Sequence, residues 1–354
     1  MKPSVRSRLR YAAAVAFVAV AIGCSSQGAT ETPPASASAT AKQRAGDRFY
    51  VEGRFLRDPC GEKLVLRGVN EMFVWNHDRT GAALVEQIDR SGANAVRVVW
   101  TTKDGTVAEM DKAIENVAAR GMLPIIELHD ATGDIDKLEL VMSHWLSPEV
   151  LAVLKKHEKH LVLNVGNEIG DASVPRERFQ DVYVSAIRRL RDAGVRAPIM
   201  IDASTWGQDL ERLVDVGPAL VKSDPQGDVL LSVHAWWTDG SRSAIAHRLT
   251  AAVESGLPIV VGEFGPHAVF ECEKHPFDLD GFLEITDKLE IGFVAWSWGG
   301  VNNRDCAGSF DMTEGGDITK LRPWGRLVVE QSPHGIARTS VRSRFLSEGR
   351  CHER

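Results

Sequence analysis

The sequence predicts an α/β protein whose main domain is a (β/α)8 TIM barrel preceded by an N-terminal β-hairpin. Short runs rich in Val, Ile and Leu alternate eight times with amphipathic segments of helical spacing. Each run is continuously apolar, as expected for strands that are buried on both faces. A doubly wound open sheet would instead need a glycine-rich phosphate turn after its first strand, and residues 67–70 (RGVN) do not form one.

The individual elements follow from these patterns. The hairpin is predicted over residues 49–66, with its turn near residues 58–61 (DPCG), where Pro and Gly favour chain reversal. Eight barrel strands are predicted at 64–70, 95–100, 123–129, 161–168, 198–203, 229–236, 259–263 and 293–298. The clearest helices between them are predicted at 107–120, 176–192 and 242–255. The whole alternation fits the roughly 250 residues typical of one such barrel.

The N-terminal region predicts export. Arg6, Arg8 and Arg10 precede a short apolar run that ends at Cys24, so residues 1–24 are expected to be a signal peptide. The sequence around Cys24 resembles the lipobox of bacterial lipoproteins, which would lipidate Cys24 and anchor the protein to a membrane. A plain secretory signal is the alternative. Localisation is therefore expected at the cell surface, in the periplasm or outside the cell.

Composition divides the rest of the chain. Residues 25–46 are rich in Ser, Ala, Thr and Pro, a composition that predicts a flexible linker. Residues 47–335 are predicted to form the barrel domain, and residues 336–354 a C-terminal tail. The net charge of −6 gives no basic footprint, so a nucleic-acid partner is not expected. No internal repeat or second domain is visible, and a monomer is expected.

Four cysteines remain after Cys24, and an even number in an exported protein suggests disulfides. Three pairings are possible. We favour Cys60–Cys351, which would join the two ends of the domain, together with Cys272–Cys306, which would join two loops near the predicted site. Free buried thiols are the alternative, and no spacing indicates a structural zinc site.

Polar and aromatic residues gather where the predicted strands end, which is where active sites of this fold lie. They are Arg97, His129, Asn167, Glu168, His234, Trp236, Trp237, Glu263, Trp296 and Trp298. Two carboxylates facing each other across a barrel mouth are typical of glycosidic-bond cleavage, in which one protonates the leaving oxygen and the other meets the anomeric carbon. We therefore expect Glu168 to be the acid/base and Glu263 the nucleophile, ionised and held by Arg97.

Several motifs in residues 64–329 resemble glycoside hydrolase family 5, and within it the bacterial β-mannanase branch. They are LRGVN at 66–70, GANAVR at 92–97, ELHDATG at 127–133, NE at 167–168, VGEFG at 261–265 and AWSW at 295–298. The resemblance implies that Arg97, His129, Asn167, His234 and Trp296 line the subsite around the two glutamates. It also implies that Asn167 binds the sugar 2-hydroxyl. Trp236 departs from the pattern, because the family usually has Tyr there.

Three functional hypotheses follow. The first is a retaining endo-β-1,4-mannanase, with a β-1,4-glucanase on the same scaffold as its rival. The second is a carbohydrate-binding protein without turnover, which only the departure at Trp236 favours. The third is a metal-dependent hydrolase, although neither a cofactor nor a metal is expected. Among the remaining tryptophans, Trp75, Trp237 and Trp298 are candidates for stacking on sugars, whereas Trp145, Trp206 and Trp324 are expected to pack in the core.

Overall fold

The structure is a computed structural model that describes residues 46–267, 275–301 and 305–351. Its centre is a closed barrel of eight parallel strands, which confirms the predicted fold. The barrel strands are β4 (Arg67–Glu71), β5 (Ala95–Trp100), β6 (Leu123–Leu128), β7 (Val162–Asn164), β8 (Ile199–Asp202), β9 (Val229–His234), β10 (Ile259–Glu263) and β11 (Phe293–Ala295). Their residues are buried throughout, as the continuous apolar runs predicted.

Helices surround the barrel and bury their apolar faces on its strands. They are α1 (Ala82–Asp89), α2 (Val107–Ala119), α3 (Leu138–Trp145), α4 (Pro148–His157), α5 (Arg176–Asp192), α6 (Leu210–Ser223), α7 (Arg242–Glu254) and α8 (Leu279–Lys288). Local sequence fixes their starts: Thr106 and Glu109 form a reciprocal capping box at the N-terminus of α2. Among the described residues, no helix is long and apolar enough to cross a bilayer.

The N-terminal hairpin is a three-stranded antiparallel sheet. Its strands are β1 (Tyr50–Glu52), β2 (Phe55–Arg57) and β3 (Lys63–Leu64). The predicted turn at 58–61 joins β2 to β3, and a second turn, missed from the sequence, lies at Gly53 and Arg54. Gly53 has φ +59°, a backbone conformation that glycine adopts without steric cost.

The bottom of the barrel is filled by apolar side chains from the N-terminal sheet and the barrel interior. Phe49, Leu56 and Leu64 pack with interior residues such as Ile125 and Met200 in one buried cluster. Polar side chains, described below, occupy the opposite, C-terminal end of the interior. The barrel interior is therefore apolar at its bottom and charged at its C-terminal end, the mouth.

The segment predicted as a C-terminal tail packs against the barrel as far as residue 351. It contains α10 (Ile336–Thr339) and α11 (Arg344–Glu348), and Arg342 donates hydrogen bonds to the carbonyl of Ala93. The predicted disulfide between Cys60 and Cys351 is present. The predicted pairing of Cys272 with Cys306 cannot be placed, because Cys272 lies outside the described residues.

The chain after β11 contains regular structure that was not predicted from the sequence. It forms a hairpin of β12 (Thr313–Glu314) and β13 (Asp317–Leu321), followed by α9 (Pro323–Arg326). Trp298 lies beneath this hairpin and donates its indole N–H to the carbonyl of Gly316 at 2.9 Å. The hairpin thus covers Trp298, which lies three residues beyond β11.

Candidate active site

Glu168 and Glu263 meet at the mouth of the barrel, although 95 positions separate them in the chain. One carboxylate oxygen from each and one ring nitrogen of His234 all lie within 4.8 Å of one another. Both glutamates are buried, at 5% and 2% exposure. Retaining glycosidases hold their two carboxyl groups about 5–5.5 Å apart, whereas inverting enzymes need about 6.5–9.5 Å. An approach within 4.8 Å fits the shorter of these two spacings.

Glu168 is positioned by a strained backbone. It lies four residues beyond β7 and has φ +49°, which is rare for a residue with a side chain. Its backbone N–H donates to Asp202 at 3.3 Å, and its carbonyl accepts from the N–H of Gly133 at 2.9 Å. Residues in such conformations often cluster at functional sites, where the surrounding structure holds them. The predicted strand over 161–168 accordingly ends early, at Asn164.

Arg97 holds Glu263 from below. It is fully buried on β5 and donates to Glu263 at 2.7 Å. Its other donors reach Asn70, Asn164, Asn167 and Asp202 at 2.8–3.1 Å. Burial alone would lower the pKa of Arg97, but the surrounding carboxylates raise it. The guanidinium is therefore a fixed positive charge beside the predicted nucleophile, as expected from the sequence.

His234 bridges the two glutamates from the end of β9. Its Nδ1 donates to Glu168 at 2.7 Å and lies 3.5 Å from Glu263. Its Nε2 lies 3.5 Å from Asp202. Burial would lower the pKa of His234, but Glu263 and Asp202 outweigh it and raise the pKa to about 10. His234 is thus a buried cation at neutral pH, placed between the two carboxylates.

The environment also separates the two glutamates electrostatically. Burial raises the pKa of Glu168, and the hydrogen bond from His234 only partly opposes this effect. Glu263 is contacted by Arg97 and also accepts from the indole of Trp236 at 3.3 Å. Burial therefore favours the protonated form of Glu168, whereas Glu263 accepts hydrogen bonds from two donors.

A further group of polar and aromatic residues completes the mouth near Asn167. The side-chain oxygen of Asn167 accepts from Arg97, and its amide contacts Thr132 at 2.9 Å and His129 at 3.3 Å. His129 stacks on Trp296, with ring centroids 5.6 Å apart and planes at 19°. Glu127 holds the His129 ring through Nδ1 at 2.9 Å and raises its pKa against the effect of burial.

The structure corrects three of the tryptophan predictions. Trp298 is fully buried, and Trp237 is 4% exposed with its indole donating to the carbonyl of Gln208, so neither offers a face to a sugar. Trp206, predicted to pack in the core, is 46% exposed. Trp75 is 44% exposed, as a surface for stacking on sugars must be, and its ring contacts that of His129 edge-on. Strand patterns give burial on average, but they do not give the direction of a side chain in a loop.

Other residues of the network were missed from the sequence, and all of them support those that were predicted. They are Asn70, Glu127, Asn164 and Asp202, each buried at a strand. Asp202 is the centre of this group, because it contacts Arg97, His234 and the backbone of Glu168. A carboxylate at the end of an apolar strand costs free energy unless it is paired. That signal was present in the sequence at residues 199–202 (IMID).

Glu168, His234 and Glu263 together offer three atoms that could bind a metal ion. Metal binding would require neutral His234, since a metal ligand must present a lone pair. The pKa of about 10 keeps His234 protonated at neutral pH, and its proton already bridges to Glu168. The donor set therefore suits a proton-sharing network better than a metal centre.

Comparisons with known proteins show which family this chain is similar to. The model for Cellulase (glycosyl hydrolase family 5) matches residues 58–302. The mannan endo-1,4-beta-mannosidases of Streptomyces lividans and Cellvibrio japonicus are 32% and 31% identical, over 86% and 82% of this chain and 79% and 68% of their own lengths. The beta-mannanase from Streptomyces thermolilacinus, crystallised with mannohexaose, superposes with a TM-score of 0.76 at 29% identity, covering 85% of this chain and 99% of its own.

The fold and these comparisons define a glycoside hydrolase built on a (β/α)8 barrel. More specifically, the chain belongs to glycosyl hydrolase family 5. The resemblance inferred from the sequence motifs is thereby confirmed.

Proposed function

We propose that this enzyme is an endo-β-1,4-mannanase that cleaves with retention, using Glu168 as acid/base and Glu263 as nucleophile. The observation that carries the mechanism is the close approach of the two carboxylates, within 4.8 Å through their nearest ligand atoms. The choice of mannan rests on the relatives named above, which are mannosidases by name, and on the related structure that holds mannohexaose.

The first step forms a covalent intermediate. A carboxylate oxygen of Glu263 attacks the anomeric carbon as the glycosidic bond breaks, and Glu168 gives its proton to the departing sugar oxygen. Arg97 and the indole of Trp236 hold Glu263 at 2.7 and 3.3 Å, so that one carboxylate oxygen is directed by each donor. Trp236 thus supplies the hydrogen-bond donor that a Tyr would supply, but it cannot accept one.

The second step returns the enzyme to its resting state. Glu168, now ionised, takes a proton from water, and the resulting hydroxyl attacks the anomeric carbon and displaces Glu263. The hydrogen bond from His234 supports the ionised form of Glu168 at this stage. In this proposal Asn167, whose side chain contacts Arg97 and Thr132, binds the 2-hydroxyl, the position at which mannose and glucose differ.

Reducing-sugar release from purified mannan and carboxymethyl cellulose, measured side by side, tests this proposal. We expect the wild-type chain to release sugars from mannan, and Glu263→Gln to lose about 10⁴-fold or more of that rate. Glu314→Gln, at an exposed residue of β12, is the matched control and should keep full activity. Activity on cellulose alone would show that the enzyme is a β-1,4-glucanase and not a mannanase. Binding of mannan without any hydrolysis would favour a binding protein.

We also propose that the enzyme acts outside the cytoplasm as a monomer, with residues 1–24 as its export signal, 25–46 as a tether and Cys24 as a lipidation site. The disulfide between Cys60 and Cys351 supports an oxidising compartment. Cys24→Ala should move the enzyme from the membrane fraction to the soluble fraction. An unchanged distribution would favour a plain secretory signal.

A further inference from the structure

Asp202 is a buried carboxylate close to the catalytic pair that the two chemical steps do not use. It is the last residue of β8 and is fully buried. Glu168 contacts Nδ1 of His234, whereas Asp202 lies 3.5 Å from Nε2, on the other side of the same ring. Double displacement needs two carboxylates, and Asp202 is a third. It forms one end of a row of three side chains that leads through His234 to the acid/base.

The contacts of Asp202 hold it as an anion. Its Oδ2 accepts from Arg97 at 3.1 Å and from the backbone N–H of Glu168 at 3.3 Å, and its Oδ1 accepts from Asn164 at 3.2 Å. Burial alone would raise the pKa of Asp202, but the positive charges of His234 and Arg97 lower it well below its usual value. The carboxylate therefore keeps its negative charge over the whole working range of pH.

Asp202 is the partner of His234 whose charge persists through the reaction. Burial lowers the pKa of His234, and the negative charges of Glu263 and Asp202 raise it. Glu263 loses its charge when it forms the ester with the sugar, whereas Asp202 keeps its own. The other charged or titratable groups that face this pair are Arg97 from β5, Tyr183 from α5 and Glu168 after β7.

The charge of His234 also decides the direction of its hydrogen bond to Glu168. A neutral imidazole carries only one N–H, and a neutral His234 with that hydrogen on Nε2 would present a lone pair to Glu168. The proton of Glu168 would then be held by this lone pair and kept from the departing sugar. A doubly protonated ring can only donate, so it leaves the proton of the acid available. Buried aspartates hold catalytic histidines in a comparable way in serine hydrolases.

We infer that Asp202 is a positioning residue that keeps His234 charged and donating to Glu168 through both steps, an inference that rests on the proposed function. Asp202 acts through His234 and does not touch the sugar. In the first step, the charge of His234 stabilises Glu168 as that residue becomes an anion. This stabilisation matters only where the leaving oxygen needs the proton of Glu168.

The test is Asp202→Asn, which removes the charge but keeps an oxygen that can accept from Arg97 and Glu168. Two substrates are compared at pH 7: mannopentaose, whose leaving sugar needs a proton, and a dinitrophenyl β-mannobioside, whose leaving group does not. We expect kcat/KM to fall at least tenfold more on mannopentaose, a part of the roughly 10²–10⁴-fold that a general acid contributes. Equal losses on both substrates would mean that Asp202 is only structural, and would overturn the inference.

Asp224→Asn is the matched control. Asp224 is another buried carboxylate paired with an arginine, since Arg191 contacts its two oxygens at 2.9 and 2.8 Å. It lies in the connection between α6 and the start of β9, at the bottom of the barrel. Its replacement should leave the ratio of the two rates unchanged, even where it lowers stability.

A double variant tests whether Asp202 acts through His234. In the background of His234→Gln, the further change Asp202→Asn should alter the ratio of the two rates by less than about twofold, because the group through which it acts is already absent. A second loss on mannopentaose as large as that in the single variant would overturn the inference, because Asp202 would then act independently of His234.

Nitrogen-15 NMR of the histidine rings observes the charge of His234 directly in the full-length chain. Both ring nitrogens should stay protonated at pH 8 in the wild type, and Asp202→Asn should lose one ring proton at a lower pH than the wild type does. The signals of His234 are those absent from His234→Gln. A singly protonated ring in the wild type at pH 8 would overturn the inference even if Asp202→Asn does not fold.

Failure of the proposed function is read separately, in the wild type. If the enzyme cleaves only cello-oligosaccharides, mannan is the wrong substrate, and the same comparison is made with cellopentaose and a dinitrophenyl β-cellobioside. No cleavage of either series overturns both proposals.

Discussion

At the scale of single residues, the site gives two chemically identical side chains different surroundings. Glu168 is buried and its pKa is raised, whereas Glu263 lies 2.7 Å from the guanidinium of Arg97. Neither role could be assigned from the glutamates themselves. His234 is the third residue of this group. Its raised pKa favours the positively charged form, and its ring contacts both glutamates. The division of labour therefore resides in neighbours that never touch the sugar's anomeric carbon.

This division predicts an alkaline limit to activity. Glu168 must be protonated in the free enzyme, so kcat/KM should fall as pH rises through its pKa, which lies above 4.5. In Glu168→Ala, a dinitrophenyl β-mannobioside needs no proton on its leaving group, and the alkaline limb should disappear from its pH–rate profile. Activity on mannan should fall about 10²–10⁴-fold in the same variant. An alkaline limb that persists in Glu168→Ala would assign the titration to another group.

At the scale of elements, the sequence predicted the strands and helices well because burial on both faces leaves a continuous apolar run. The ends of strands were less predictable. β7 was expected to reach Glu168 but stops at Asn164, since the positive φ of Glu168 cannot continue a strand. Asp202 and Asn164 were missed because their importance comes from Arg97, which lies on another strand. Barrel closure sets such contacts, so the local pattern marks Asp202 as a buried carboxylate but does not identify Arg97 as its partner.

Loop tryptophans show the same limit. Trp298 and Trp206 were assigned opposite environments from the sequence, and the structure reverses both. Trp298 is covered by the β12–β13 hairpin, which was not predicted from the sequence. Trp206 is turned outward by a backbone of positive φ that no propensity favours for Trp. The orientation of each ring depends on neighbouring loops, not on its own segment.

The end of β4 carries a further buried carboxylate outside the catalytic pair. Glu71 is fully buried and accepts a hydrogen bond from Gly300 at 2.9 Å. Burial, reinforced by Asp311, raises its pKa to about 7. Between the unfolded value near 4.5 and this value, the unfolded chain releases a proton that the folded protein keeps. Stability should therefore fall as pH rises through that window.

Glu71→Gln should remove this dependence while keeping an oxygen to accept from Gly300. Relative to wild type, we expect its free energy of unfolding to increase by up to about 3 kcal/mol between pH 5 and pH 8. Denaturant unfolding at the two pH values measures the change, and Glu314→Gln, at an exposed residue of β12, is the control. Parallel pH dependence in Glu71→Gln and wild type would show that Glu71 ionises normally in the folded protein.

At the scale of the whole molecule, stability and catalysis lie at opposite ends of the barrel. The N-terminal sheet and the segment around α11 close the bottom with apolar packing, and Cys60–Cys351 joins them across 291 residues of sequence. The mouth instead contains the buried ion network around Arg97. Such networks are costly to desolvate and are retained here for the chemistry they support. Apolar burial at the bottom of the barrel offsets the cost of desolvating the charged residues at the mouth.

Replacing both Cys60 and Cys351 with Ser should therefore weaken the fold without changing the chemistry. Disulfides typically contribute about 2–4 kcal/mol, so we expect a loss of that size. Thermal unfolding should show a lower midpoint, while kcat on mannan at moderate temperature stays at the wild-type value. A lower kcat at a temperature where the variant remains folded would mean that the bottom of the barrel is coupled to the site.

The stereochemistry of the first product tests the central claim most directly. If Glu263 forms a covalent intermediate that water then displaces, each product must keep the β configuration at its new reducing end. Proton NMR of the anomeric signals during the first minutes of hydrolysis, before mutarotation, should show the β anomer appearing first. Initial accumulation of the α anomer would contradict the account, because it would mean that water attacks directly and that Glu263 is not the nucleophile.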